Sequence, residues 1–177
     1  MRIVGGKYKG RTLNFFDGNK IRPTSDMARE SLFNILQTRI YGAKFLDLFS
    51  GTGAMGIEAL SRGADSVTFN DFSRDSIALI KKNLSKLSVT EKYQIKNLDA
   101  LTLLDGIGEK FDIVYIDPPY KTDLGVRALS KVTSVCHSDT LIIFEDEKPL
   151  DTAVDGLIVT DRRKYGRVHL TILKKED

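Results

Sequence analysis

The stretch from Lys44 to Gly56, Lys-Phe-Leu-Asp-Leu-Phe-Ser-Gly-Thr-Gly-Ala-Met-Gly, constrains the fold more than any other part of the chain. Phe45 to Phe49 is an apolar run of buried-strand length. Ser50-Gly51-Thr52-Gly53 breaks it with small side chains and a backbone free to adopt positive φ. Ala54 to Leu60 continues in a helical pattern. Strand, glycine turn and helix make the opening half of a βαβ unit. Such a turn lets a ligand lie against bare backbone, with helix N–H groups facing its negative end.

Gly51, Gly53 and Gly56 fit G-x-G-x-x-G, which suits a dinucleotide as well as any other nucleoside ligand. Two carboxylates narrow the reading. Asp47 lies inside the strand, where it needs a polar partner. Asp71 ends the next apolar run, Val67 to Asn70, where a carboxylate can accept both hydroxyls of a ribose.

Strands and helices then alternate. The sequence predicts strand 45–49, helix 53–62, strand 66–70, helix 73–87 and strand 93–97. A short helix at 100–104, strand 111–116, helix 124–135 and strand 140–145 follow. Ile77, Ile80, Leu84 and Leu87 make the buried stripe of the second helix, with Lys81, Lys82 and Lys86 solvated. Strands near 157–161 and 167–173, joined by a short connection, read as an antiparallel hairpin at the sheet edge. Alternation of this kind predicts an α/β fold, a mainly parallel sheet with helices on both faces.

The chemistry concentrates where strand 111–116 runs into Asp117-Pro118-Pro119-Tyr120. The C-terminal end of a strand next to the glycine-turn strand is where ligands bind in open α/β sheets. The two prolines remove two N–H donors, so the turn offers only carbonyls, and Asp117 adds a carboxylate. Such an acceptor-only pocket suits the exocyclic amino group of a nucleobase. One N–H would go to Asp117, the other to the Pro118 carbonyl, with the base face on Tyr120. Holding both hydrogens turns the weak nitrogen lone pair toward an electrophile.

The N-terminal part differs in charge. Residues 1–43 carry a net +5 in a chain whose total is +3, leaving the rest at −2. This basic piece suggests a polyanion contact. Residues 2–16 read as a β-hairpin in which Lys7, Lys9 and Arg11 offer phosphate contacts and Tyr8 a stacking ring. Pro23, Thr24, Ser25 and Asp26 form a helix entry. Ala28, Leu32, Ile35, Leu36 and Ile40 face the core, Arg29 falls off that stripe, and Gly42 closes the helix. At 177 residues, the chain is expected to be one domain: a hairpin–helix extension over 1–43 and a cofactor-binding core over 44–177. The 41% hydrophobic and 29% charged fractions are those of a globular protein. No run reaches membrane-spanning length, and no apolar leader follows Met1. One cysteine, Cys136, allows no internal disulfide and fits a reducing cytoplasm. Cys136, His137 and His169 form no familiar metal-ligand spacing.

Taken together, these motifs resemble the class I S-adenosylmethionine-dependent methyltransferases. The resemblance implies a Rossmann-like seven-stranded sheet with its last strand antiparallel, S-adenosylmethionine as cofactor, and no metal. It assigns Asp47, Phe49, Ser50, Gly51, Thr52, Gly53 and Gly56 to the cofactor loop. Asp71 with Phe72 would meet the ribose, and Asp99 with Ala100 the adenine. Asp117, Pro118, Pro119 and Tyr120 match the motif of amino-group N-methyltransferases. A closer likeness is to the RsmD family, which methylates N2 of a guanine in 16S ribosomal RNA. Arg2 to Arg11 resembles its N-terminal pattern, and Arg22 to Asn34 its Arg-Pro-Thr-x-Asp-x-x-Arg-Glu-x-Leu-Phe-Asn signature. Tyr165-Gly166 matches a late Tyr-Gly. Two departures stand out: Met27-Ala28 replaces a usual Arg-Val, and the tail after Gly166 is not close to the family pattern. The resemblance implies RNA contacts at Lys7, Lys9, Arg11, Arg22, Thr24, Arg29 and Tyr165, with 16S rRNA in a small-subunit or assembly particle as partner. No exposed heptad or large apolar stripe demands a partner, so a monomer is expected, working in the cytoplasm. Adenine-N6 methylation of DNA or RNA uses the same acceptor geometry. A nicotinamide-dependent oxidoreductase would leave the Asp-Pro-Pro-Tyr turn unexplained, and a non-catalytic RNA-binding module would not need the intact acidic residues.

Overall fold

A computed structural model describes residues 1–16, 26–120 and 122–176. Its elements are α1 (Asp26–Ile35), β1 (Lys44–Asp47), α2 (Ala54–Ser61), β2 (Ser66–Asn70), α3 (Arg74–Leu87), β3 (Lys92–Lys96), α4 (Ala100–Gly106), β4 (Phe111–Ile116), α5 (Leu124–Lys131), β5 (Cys136–Asp146), β6 (Leu157–Tyr165) and β7 (Val168–Lys175). A 3-10 turn over Val132–Val135 follows α5. The strands form one seven-stranded sheet in the order β3-β2-β1-β4-β5-β7-β6. β1 to β5 are parallel, and β7 lies antiparallel between β5 and the edge strand β6. This is the expected α/β architecture, with the tail hairpin adding the antiparallel strands.

Period-2 alternation in the central strands divides the core. Phe45, Ile113, Tyr115 and Ile143 pack with α1, α2 and α3 on one face. Leu46, Val114, Ile116, Ile142 and Phe144 pack with α4 and α5 on the other. The strand order reverses between β1 and β4, so the crevice of an open α/β sheet opens beyond their C-terminal ends. The glycine turn and the Asp-Pro-Pro-Tyr turn flank that point.

Several boundaries move. α1 stops at Ile35, short of Tyr41-Gly42, and residues 36–40 continue as tighter turns with bonds such as Arg39 N–H to the Leu36 carbonyl (2.8 Å). Gly42 has φ +75° as a chain reversal requires, but its N–H donates across to the Gly63 carbonyl (2.8 Å). β5 begins at Cys136, four residues before the predicted start, because its exposed His137-Ser138-Asp139 carries no apolar alternation. The N-terminal hairpin reduces to one antiparallel bridge, Arg2 to Thr12, within a ribbon clamped onto α2 and α3. Glu58, buried in the middle of α2, accepts from the N–H groups of Val4 (2.9 Å) and Gly5 (2.8 Å). Gly6 adopts φ +72°, and a Cβ there would sit 1.8 Å from the Ser61 carbonyl oxygen. Only glycine lets the ribbon approach α2 so closely.

Candidate active site

β1 ends in Asp47, which is 1% exposed. Its Oδ2 accepts from the Gly56 N–H (3.0 Å), tying the strand end to the first turn of α2. Burial pushes its carboxyl up to about 7, against the Gly56 bond, with the charge of Asp71 adding to the rise. The turn is closed by Gly53 N–H on the Ser50 carbonyl (2.7 Å) and by the Ser50 hydroxyl on the Asp47 carbonyl (2.8 Å). Asp71, after β2, accepts from Gly51 N–H at Oδ2 and from Ser73 N–H at Oδ1, each at 2.8 Å. Both oxygens are therefore fixed in direction, with a lone pair of each left to a ligand.

Asn70 was legible only as the end of an apolar run, yet it organises three loops. Its Nδ2 donates to the carbonyls of Leu48 and Leu98, both at 3.1 Å. Its backbone N–H donates to Ser50 Oγ (3.0 Å), and its Oδ1 accepts from Leu98 N–H (3.3 Å). A buried amide directly before the ribose-type acid was the available signal.

These loops and the end of β4 enclose a cavity of about 870 Å³, of the size that holds a nucleoside-sized ligand. Asp47, Phe49, Ser50, Gly51 and Thr52 line one side. Asp71, Phe72, Asp99 and Ala100 line the next, and Asp117, Pro118, Pro119 and Tyr120 close it. Phe72 is 78% exposed at the rim. Asp99 also caps α4, its Oδ1 accepting from Leu101 N–H (3.0 Å) and Thr102 N–H (3.1 Å). Gly53 and Gly56, expected at the cofactor, are not on the wall. Gly53 supplies a positive φ of 79°, and Gly56 gives β2 room, since a Cβ there would lie 2.2 Å from the Phe69 ring. Their work is to shape the turn. Gly125 was missed: a Cβ there would meet Pro118 Cγ at 2.7 Å and Phe144 Cε2 at 2.8 Å, so α5 packs directly under the Pro-Pro turn.

Asp117 sits at the cavity wall with Pro118 buried, Pro119 exposed and Tyr120 half-buried. Burial of the carboxyl, then the charges of Glu145, Asp47 and Asp146, push its pKa well above the usual carboxylate range. The Tyr120 hydroxyl is raised too, by burial first and then by Asp117. The Tyr115 hydroxyl donates to Glu145, both buried beneath the motif.

The expected RNA contacts fare differently. Arg29 requires correction: it is 0% exposed and part of the cavity wall, because Glu58 and Asp26 pair with it inside the fold. Lys7 Nζ donates to Glu91 Oε1 (2.6 Å) and Thr90 Oγ1 (3.2 Å), just before β3. Tyr8 is buried rather than offered for stacking, and its hydroxyl donates to Glu91 Oε2 (2.5 Å). Arg11 caps α3 by donating to the carbonyls of Lys86 (3.0 Å) and Leu87 (3.1 Å). α3 runs from the cavity, at Ser76, to Leu87 at the opposite end of the sheet, roughly 17 Å along its axis. Lys7, Arg11 and the exposed Lys9 between them therefore lie at the end away from the crevice. Tyr165 lies at the crevice end, half-buried, because β7 is antiparallel and pairs His169 with Asp146 at the C-terminus of β5. Arg22 and Thr24 lie outside the described residues.

With this geometry in place, similarity to known proteins becomes informative. Residues 1–174 match the family model "Conserved hypothetical protein 95". The chain belongs to the RsmD family. It is 34% identical to "Putative rRNA methyltransferase YlbH" of Bacillus subtilis, covering 99% of both chains. It is also 34% identical to "Ribosomal RNA small subunit methyltransferase D" of Haemophilus influenzae, over 92% of this chain and 88% of that one. Among solved structures it superposes on "Putative methyltransferase yhhF" of Escherichia coli with a TM-score of 0.88 and 30% identity, covering 100% and 98% of the two chains. The residues present fit the cofactor that the family resemblance implies: the charged side chains of the otherwise largely apolar wall are five aspartates and one arginine, which suits a cationic ligand, and Asp47 Oδ1 is buried there without a hydrogen-bond partner. Among the described residues, no helix is long and apolar enough to cross a membrane.

Proposed function

We propose that this protein transfers a methyl group from S-adenosylmethionine to the exocyclic N2 of a guanine in small-subunit ribosomal RNA. The observation that carries the reading is the placement of Asp117-Pro118-Pro119-Tyr120 on the same cavity as the glycine turn, Asp47 and Asp71. The names of the relatives support ribosomal RNA as the polymer.

When bound, the cofactor supplies an electrophilic methyl group on a sulfonium. The protein supplies the rest. Asp71 holds the ribose hydroxyls with oxygens already aimed by Gly51 and Ser73. Phe49, Phe72 and Ala100 give the adenine apolar contact, and Asp99 lies beside them. On the acceptor side the Pro-Pro turn has no N–H to compete for the incoming amine. Asp117 accepts one N–H of the amino group and the Pro118 carbonyl the other, while Tyr120 carries the base. Transfer of the methyl group to the amino nitrogen would break its bond to sulfur and release the cofactor as a neutral thioether, and Asp117 is placed to take the surplus proton left on nitrogen. The raised pKa of that carboxyl makes it a stronger base than an exposed aspartate. Positioning does most of the work. The target base leaves its stack, which is least costly in a loop or at a helix end.

RNA approaches across the β6–β7 turn in this reading. Lys148, Lys164 and Arg167 are exposed there, beside Tyr165 and Gly166. So few cations make an assembled particle, whose own proteins present the target, the favoured substrate form.

The test is transfer from labelled S-adenosylmethionine to unmodified small subunits, their naked RNA and duplex DNA, followed by nucleoside analysis. N2-methylguanosine, formed faster on particles, is expected. N6-methyladenosine would overturn the guanine assignment, and equal rates on particle and naked RNA would refute the particle.

A further inference from the structure

The acceptor turn explains how an amino nitrogen is held, but not why the base is guanine. Asp117 and the Pro118 carbonyl would hold the amino group of adenine equally well. The two bases differ in the atom beside that group. Guanine carries a second donor, N1–H, next to its amino group, whereas adenine carries a bare N1 lone pair there. A flipped base is read along this edge, so choosing guanine requires one more acceptor.

Asp117 is poorly suited to serve twice. To face the methyl group, the amino nitrogen becomes pyramidal, and its hydrogens leave the ring plane on the side away from the cofactor. N1–H stays in the plane. One carboxylate gripping both hydrogens would hold the nitrogen planar, with its lone pair still shared with the ring.

The neighbouring strand offers the alternative. β5 runs parallel to β4 with Phe144 opposite Ile116, so Glu145, Asp146 and Glu147 follow it beside Asp117, Pro118 and Pro119. Adjacent strands lie roughly 4.8 Å apart, within the span of one base. Most acceptors there are engaged. Glu145 is buried and takes the Tyr115 hydroxyl. Asp146 Oδ1 turns back onto the Glu147 N–H (2.6 Å). The Pro119 carbonyl accepts from the Thr122 hydroxyl (2.8 Å). Glu147 is different. It is exposed, and among the described residues its carboxylate has no hydrogen-bond or ion-pair partner. Yet it shares a second cavity, of about 360 Å³, with Lys148, Lys164 and Arg167. The Tyr120 hydroxyl, raised by burial and then by Asp117 and Glu145, also feels the charge of Glu147, which places that carboxylate beside the ring on which the base rests.

We propose that Glu147 is the residue that selects guanine, its carboxylate accepting N1–H of the base whose amino group lies between Asp117 and the Pro118 carbonyl. This rests on the guanine-N2 reading above. The same carboxylate would face the N1 lone pair of an adenine and repel it. Lys148, Lys164 and Arg167, unused by Glu147, are left for phosphates.

The test uses small subunits assembled on RNA that carries either guanine or 2-aminopurine at the position the parent protein methylates. 2-Aminopurine keeps the amino group but offers a bare N1. The parent should prefer guanine in kcat/KM by roughly tenfold or more. Glu147→Gln can turn either its oxygen or its nitrogen toward N1, and should bring the two substrates within about threefold of each other. Glu147→Ala, as a second variant at this exposed position, should narrow the ratio by losing rate on guanine. Equal parent rates on the two substrates overturn the proposal. So do variants that keep the parent's ratio, which would hand N1–H to the second oxygen of Asp117. A parent that does not methylate the guanine substrate overturns the guanine-N2 reading itself and the proposal with it, which separates the two failures.

Discussion

The two ends of the sheet both carry cations, and they use them in opposite ways. At the end away from the crevice, Lys7 and Arg11 are engaged by Glu91 and by the last carbonyls of α3, and Tyr8 is buried beneath them. At the crevice end, Lys148, Lys164 and Arg167 stand exposed around the β6–β7 turn. The difference teaches that charge counted along a sequence is not charge available to a ligand. The N-terminal ribbon carries Arg2, Lys7, Lys9 and Arg11 with no acid beside them, and much of that charge fastens the ribbon to α2 and α3. The tail hairpin is basic too, and its exposed cations stand at the crevice end of the sheet, with the Asp117 turn.

The comparison can be broken or sharpened by substitution. The largest effect belongs to the acceptor turn. Asp117→Ala should lower turnover by about 10²–10⁴-fold while S-adenosylhomocysteine affinity in a calorimeter stays within a few fold. In the parent, the rate should rise with pH as Asp117 ionises, over a range above that of an ordinary carboxylate, and Asp117→Asn should erase that limb. Reversing charge at the tail, Lys164→Glu with Arg167→Glu, should reduce kcat/KM on ribosomal particles by roughly tenfold or more and flatten its salt dependence. Lys7→Ala with Lys9→Ala should leave it within about twofold; a large loss there would return the RNA to the far end.

Stability gives the next, smaller effects. Asp47 has a folded pKa of about 7 against an ordinary value of 3.8, so ionising it opposes folding. Ligand-free stability should fall as pH rises from about 4 through 7. Asp47→Asn removes that loss, and the variant should be more stable than the parent at pH 8 by on the order of 2–4 kcal/mol in chemical denaturation, with no gain near pH 4. Its S-adenosylhomocysteine affinity should fall. Glu91 moves the other way: burial opposes, but hydrogen bonds from Lys7 and Tyr8 bring it down to about 2. The folded pKa is depressed, so its contribution is present above about 4.5 and is lost as pH falls toward 2. Lys7→Ala should therefore lower the melting temperature by about one or two degrees at pH 7, and by less in acid.

Local chemistry explains how much was legible in the sequence. β1, β2 and β4 are short apolar runs ended by glycine, aspartate or proline, and a strand buried on both faces has no other way to begin and end. The cavity residues Asp47, Asp71 and Asp117 stand at those strand ends, so finding the strands found them. What escaped depends on contacts distant in sequence. Arg29 falls off the apolar stripe of α1, yet Glu58 of α2 and Asp26 draw it inside, a pairing invisible to periodicity. Tyr8 looked like a stacking ring because nothing nearby in the chain announces Glu91. Asn70 and Gly125 read as filler, since their work is to brace loops and turns contributed by other strands. The far-end placement of Lys7 and Arg11 follows from the direction of α3, a tertiary fact.

Hydrogen–deuterium exchange on the protein with S-adenosylhomocysteine and unmodified small subunits, compared with the protein and S-adenosylhomocysteine alone, tests the account most directly. Protection is predicted around Asp117–Tyr120, at 146–149 and across 163–169, with residues 5–11 unchanged. Protection at 5–11 with none at 163–169 would contradict it.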